Sequence, residues 1–343
     1  MTNRPRCLSP LANAIGFAMI VCALAFGSAA LPIYAQKPEA APSEAEAKAA
    51  TAVKDAPDAA AKLALAEAFV KKYPKSSVRM EVARYIVIEI ARVPDAAQRL
   101  ALAERFQKSF TNEAELERIR PVLIDSYARG KRVDEAFSMG ATMLAKQPDN
   151  IEVLTTLAMA GTDEVKHQNN KYVAQTMQYG LKAIEMLEGN KKPATLDDAA
   201  WAYQLTLLPH IYLDMGTIAI ATNKSAEAKP RLEKAVALNP NEPSAYVLLG
   251  GVTDEEYTKA AEAFQALPAG PEKQEALRKA TELMDKVIDL YAHALGAASG
   301  RPEYKAMYDQ VMESVTPYYK YRHNRSTAGL QELIDKYKTP AKP

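Results

Sequence analysis

The stretch "RLEKAVALNPNEPSAYVLLG", Arg231 to Gly250, decides the fold. Its first half reads as the end of a helix and Pro240 marks a turn. Pro243 falls where the first turn of a new helix accepts proline, because the N–H missing there has no intrahelical partner to lose. The same pattern runs outward in both directions. From about residue 58 the chain alternates apolar-periodic segments with short breaks, and no run shows the alternation of a half-buried strand. This periodicity predicts fourteen helices ending near 337, among them 150–160, 168–188, 196–208 and 301–315. "RGKRVDEA" breaks one helix at Gly130 and starts the next. Breaks this short make successive helices antiparallel.

Composition points the same way. Of 343 residues, 48% are hydrophobic and 25% charged, a globular mixture with ample material for a core. Only 14 are glycine, which beside abundant Ala, Leu, Glu and Lys favours helices over a turn-rich β fold. A formal charge of +1 gives no reason to expect a phosphate backbone or an anionic membrane as main partner.

Arg4 and Arg6 precede the apolar run "LANAIGFAMIVCALAFGSAAL", with small residues after it, the parts of a secretory signal peptide over 1–35. Cleavage after Ala35 is the preferred reading, and a retained N-terminal anchor is the competing one, because Leu11 to Leu31 is long enough to span a bilayer. The sequence around Cys22 lacks the small residues expected before a lipidated cysteine. Both cysteines, Cys7 and Cys22, fall inside the leader, so the mature chain has no disulfide, thiolate nucleophile or cysteine zinc site. A periplasmic or secreted location is expected. Residues 36–57, rich in Ala, Pro and charge, suit a flexible spacer, with Ala/Glu/Lys content that could form a marginal helix.

Internal repetition carries the most information. In "HIYLDMGTIAIATNKSAEAKPRLEKAVALNP", the residues Tyr212, Met215, Gly216, Ala219, Ala228, Leu232, Ala235 and Pro240 resemble a tetratricopeptide repeat, in the spacing that family uses. Gly216 and Ala228 keep side chains short where two helices cross, while Tyr212 and Leu232 fill the space beside the crossing. The next unit begins in register with Tyr246, Leu249 and Gly250. A weaker one contains Leu123, Tyr127, Ala136, Leu144 and Pro148, and "LAEAFVKKYPKSSVRMEVA" resembles a helix junction of bacterial envelope members. Pro148 and Pro240 are 92 residues apart, no multiple of a repeat of about 34, so one intervening pair is long or irregular. The resemblance implies an all-α fold: antiparallel helix pairs stacked as a TPR-like α-solenoid over 58–250, and an irregular helical extension or cap over 251–343.

Motifs for chemistry are absent. No phosphate loop, nucleophile elbow or His-Glu-x-x-His helix occurs. "EVKH", ending at His167, lacks the second Glu-x-x-His and the further carboxylates of a di-iron bundle. "TDEEY" at 253–257 lacks the spaced ligands of a calcium loop and reads as a solvated helix start, and "GAASGRP" reads as a helix-breaking loop. No catalytic residue, metal or cofactor is expected.

The resemblance instead implies a non-enzymatic scaffold that binds protein or peptide partners in a concave groove lined by first helices, with His210, Leu213, Thr217, Ser244 and Val247 on that surface. Leu213 and Val247 would offer apolar contact and the other three hydrogen bonds, unless C-terminal helices fill the groove. A second candidate is "TPYYKYRHNRS", where Tyr318, Tyr319, Tyr321, Arg322 and Arg325 interleave rings with cations. There the plainer reading has Tyr318 and Tyr321 pack the terminal helix while the cations face water. Nucleic acid is not expected as a partner. The alternative class is an envelope enzyme or enzyme subunit acting on carbohydrate or peptidoglycan through this Tyr-rich end, and self-association through an uncapped terminal repeat stays open.

Overall fold

The computed structural model describes residues 41–338, and all that follows concerns the compact unit that begins at Pro42. The leader expected over 1–35, its cleavage site and residues 36–40 of the spacer lie outside the described residues. Among those described, no strand occurs, and no helix is long and apolar enough to cross a membrane.

Local chemistry sets the helix boundaries. The first helix, α1 (Glu44–Asp55), opens on a capping box in which Ser43 and Glu46 satisfy each other's backbone N–H groups. It also buries Val53, so the segment expected as a flexible spacer holds an ordered helix packed on α2 (Ala59–Lys72). Asp58, Asp95 and Asn150 accept hydrogen bonds from the third residue of α2, α4 (Ala96–Ser109) and α7 (Ile151–Lys166). Between them lie α3 (Arg79–Ala91), α5 (Glu113–Arg129) and α6 (Val133–Lys146), followed by α8 (Val173–Glu188). The helix expected over 150–160 runs six residues further, to Lys166, because Gly161 sits mid-helix against Thr176 of α8 instead of ending the helix.

The second half contains α9 (Asp198–Thr206), α10 (Leu208–Ala221), α11 (Ser225–Leu238), α12 (Pro243–Ala266) and α13 (Pro271–Ala298). A short 3-10 turn then leads into α14 (Lys305–Arg322) and α15 (Leu330–Asp335). Consecutive helices pair as α5 with α6, α7 with α8, α10 with α11 and α12 with α13. The first members also touch one another in the series α3, α5, α7, α10. The excess length between Pro148 and Pro240 falls between α8 and α10, as the nine-residue α9 and its flanks.

The α10–α11 crossing has the expected construction. A Cβ on Gly216 would stand 2.7 Å from Leu232 Cδ2, so only glycine lets the helices approach this closely. Ala228 and Leu232 are fully buried and Tyr212 nearly so. Pairing continues past residue 250, since α12 and α13 form the most extensive pair. "TDEEY" therefore lies inside α12 rather than at a helix start: Asp254 accepts from Tyr318 and Glu256 pairs with Lys229. Two apolar cores result. One extends from Val53 to Ala245 and the other from Ala219 to Ile334, and Leu213 and Val236 pack against both.

Candidate functional site

The first members of the early pairs expose a common face. Along it run two concavities of ≈ 500 Å³ and ≈ 420 Å³ that share Pro121 of α5 and Glu152 of α7. The larger is bounded by α3, α5, α7 and by α9, which supplies Tyr203 and Gln204 as a wall, with Leu207 just past its end. The smaller lies between α3, α5 and the start of α7 and is closed by Thr195 and Leu196.

The walls are fixed by hydrogen bonds. The Arg99 guanidinium is buried and donates to the Val93 carbonyl (3.0 Å), to Ser126 Oγ (3.1 Å) and to Asp125 Oδ2 (3.1 Å). Asp125 also accepts from Arg129 Nε at 2.9 Å, so one carboxylate holds both guanidinium groups. Thr155 Oγ1 donates to Gln204 Oε1 at 3.1 Å, tying α9 to α7. Trp201, 6% exposed, donates its indole N–H to Asn190 Oδ1 at 2.9 Å and anchors α9 to the loop before it.

Between these walls large apolar side chains lie open, beside the exposed charges Arg84, Arg118, Arg129, Glu152 and Asp163. Ile88 is 48% exposed, Met159 40% and Tyr203 60%, and all three line the two concavities. Glu152 reaches both. Its side chain is exposed in the first turn of α7, and partial desolvation, with a smaller effect from the Asp197 carboxylate, raises its carboxyl above the usual range.

The residues expected from the sequence occupy the next stretch of the same helix series. His210 is exposed, and Leu213, Thr217, Ser244 and Val247 are half-buried. Thr217 donates its hydroxyl to the Leu213 carbonyl at 2.9 Å. The crevice beside His210 and Leu213 is too tight to admit a water molecule. Leu213 packs on both cores and Val247 on the second.

The Tyr-rich cluster is mostly engaged within the fold. Tyr318 donates to Asp254 at 2.6 Å and meets Tyr257 edge-on. Tyr319 is buried, donates to the Ala328 carbonyl at 3.0 Å and stacks on His323. Arg322 forms a bidentate pair with Asp285. Tyr321 is 77% exposed, so it faces water instead of packing the terminal helix as the plainer reading had it, and the Arg325 side chain is exposed too. His167 is exposed with Nδ1 2.8 Å from the Asp163 carbonyl. No group of three or more metal-binding side chains occurs among the described residues.

The sequence reading missed the open groove, though its own register reaches it. His210, Leu213 and Thr217 stand 18, 15 and 11 residues before Ala228; the same offsets before Ala136 give Arg118, Pro121 and Asp125, all lining the two concavities.

No protein-family model matches the chain, and no curated protein does. Among solved structures it is similar to a mutant of MamA, at 18% identity over 60% of this chain and 98% of that one, with a TM-score of 0.40. It is also similar to TTC0263, a thermophilic TPR protein of Thermus thermophilus, at 14% identity over 68% and 98% of the two chains, TM-score 0.38. A third is a monomeric IFIT1 mutant with Gppp-AAAA, at 14% identity over 82% of this chain and 56% of that one, TM-score 0.38. Likeness at this level does not extend to partners or chemistry. The chain's own helix pairs, with Gly216 seated on Leu232 and α3, α5 and α7 side by side, make it an all-α, tetratricopeptide-like stack.

Proposed function

We propose that this chain is a non-enzymatic scaffold that holds a protein or peptide partner in the groove of α3, α5, α7 and α9. The observation that carries the reading is the convergence of Ile88, Met159 and Tyr203 on one recessed face, where Arg99, Asp125, Thr155 and Gln204 are already hydrogen-bonded. Large apolar side chains exposed together in a concavity, rather than singly on a convex surface, mark a binding site. A recess of this size takes a few side chains of an extended segment. His210, Leu213, Thr217, Ser244 and Val247 continue the same helical register and form the proposed extension of the surface.

The basic and apolar N-terminal run supports an exported protein, periplasmic or secreted, with cleavage after Ala35. A role in envelope assembly or secretion follows from that location and from a binding surface without chemistry of its own.

Photo-crosslinking tests the reading. A benzophenone amino acid at Tyr203, inside the groove, is compared in cells with one at Leu65, exposed on α2. A discrete polypeptide adduct formed from Tyr203 and not from Leu65 is the expected result. Equal labelling from both positions, or none from either, overturns the proposal.

A further inference from the structure

Glu152 is the one charged residue that both chambers of the groove share. It lines both concavities, yet its carboxylate makes no hydrogen bond and no ion pair among the described residues. Of the other acids lining the larger chamber, Asp125 is held by Arg99 and Arg129, and Asp163 lies 3.9 Å from the His167 ring. Arg84, Glu117 and Arg118 also line the smaller chamber, and neither arginine comes within ion-pair distance of Glu152. The carboxylate nearest in effect is Asp197, which adds negative potential to the same spot. On either side of it lie the exposed apolar groups Ile88 and Met159. The pattern is an exposed, unpaired anion at the junction of the two chambers, with a large apolar side chain open in each.

Resting on the reading of the groove as a peptide site, we infer that its occupant is an extended polypeptide segment with a lysine or arginine that seats on Glu152 and apolar residues on both sides of it. Charge complementarity selects this occupant. An incoming ammonium or guanidinium supplies the partner that Glu152 lacks, whereas an acidic side chain there would add a third negative charge beside Glu152 and Asp197. The apolar neighbours supply contact area, and Glu152 supplies register and choice of partner.

The test uses the full chain and fluorescent decapeptide pools, blocked at both ends, random in Leu, Ile, Val, Ala and Ser except at a fixed central residue. That residue is lysine, acetyl-lysine or glutamate. Anisotropy titrations are run with wild type, Glu152→Gln and Met159→Glu, each checked for helicity by circular dichroism. The expected result is binding of the lysine pool about tenfold tighter than the acetyl-lysine pool, with the glutamate pool weakest, a preference that disappears in Glu152→Gln. Met159→Glu weakens the acetyl-lysine pool, for which electrostatics offers no compensation. Binding that Met159→Glu removes, but that shows no charge preference in wild type, overturns the role of Glu152 and leaves the groove reading intact. A lysine preference that persists in Glu152→Gln overturns it as well. Failure of every pool to bind, or binding of the acetyl-lysine pool indifferent to Met159→Glu, overturns the groove reading and the inference together.

Discussion

Arg79 at the start of α3 reaches across to Glu115 in the first turn of α5 and grips both oxygens of a carboxylate that is fully buried, Nη2 standing 2.9 Å from Oε2. The pair locks two neighbouring first helices of the stack into register. Removing one member strands the other's charge in the interior, which is costlier than the pair is worth. Arg79→Ala is therefore expected to lower unfolding free energy by about 3–5 kcal/mol in urea titrations. Arg79→Met combined with Glu115→Leu is expected to restore most of that loss; an equal loss in the double variant would contradict the account.

Gly216 is expected to tolerate no side chain. A methyl group there meets Leu232 at 2.7 and 2.8 Å, and Leu232 is fully buried with no room to retreat. Gly216→Ala should destabilise by about 1–3 kcal/mol, against the gain in helix propensity that alanine brings at an unconstrained position. Pairing it with Leu232→Ala should recover part of the loss, which a double-mutant cycle measures.

Asp214 of α10 is buried, its nearest cation being Lys166 at 4.0 Å. Burial pushes its carboxyl up to about 7, with Lys166 opposing and Asp163 adding to the effect. A raised folded-state value means that the folded chain binds the proton more tightly than the unfolded one. Its stabilising contribution is complete below about 4, the unfolded value, and is lost as pH rises to about 7. Asp214→Asn should then match wild type near pH 4 and exceed it at pH 8, by on the order of 4 kcal/mol at most. Thermal unfolding at the two pH values checks this, and a gap that fails to widen between them would contradict it.

The tyrosines of the C-terminal cluster should separate cleanly. Tyr318→Phe removes the hydrogen bond to Asp254 that ties α14 to α12, at a cost of about 1–2 kcal/mol. Tyr321→Ala should change stability by less than about 0.5 kcal/mol, since its side chain is in water. Urea unfolding of the two variants side by side gives the comparison.

Much of this was legible in the sequence because helical repeats are written in local spacing. The positions from Tyr212 to Pro240 carry both period and crossing, and Gly216 against Leu232 follows from them alone. The sequence reading placed its candidate surface on α10 and α12 because the best-spelled repeat lies there, whereas the larger concavities lie on the weaker-spelled units around Pro121 and Glu152. What no spacing reveals is α9. Its span was readable as a helix over 196–208, but its role as a wall depends on Trp201 finding Asn190 and Gln204 finding Thr155, contacts set by how a connection folds back. The Tyr-rich end shows the same limit. Helical period puts Val315 and Tyr319 on one face, yet only the docked neighbour decides that Tyr318 also turns inward and Tyr321 does not.

The division of the apolar interior into two clusters that meet at Leu213 and Val236 implies that the stack need not come apart all at once. The chain has a single tryptophan, Trp201, and it belongs to the first cluster. Its fluorescence therefore watches one half of the molecule while far-ultraviolet dichroism watches both. In a denaturant series the two signals should trace separate curves, and Leu213→Ala, by loosening the joint, should draw them further apart. Coincident curves would instead make the seam a feature of packing alone, with one cooperative unit spanning it.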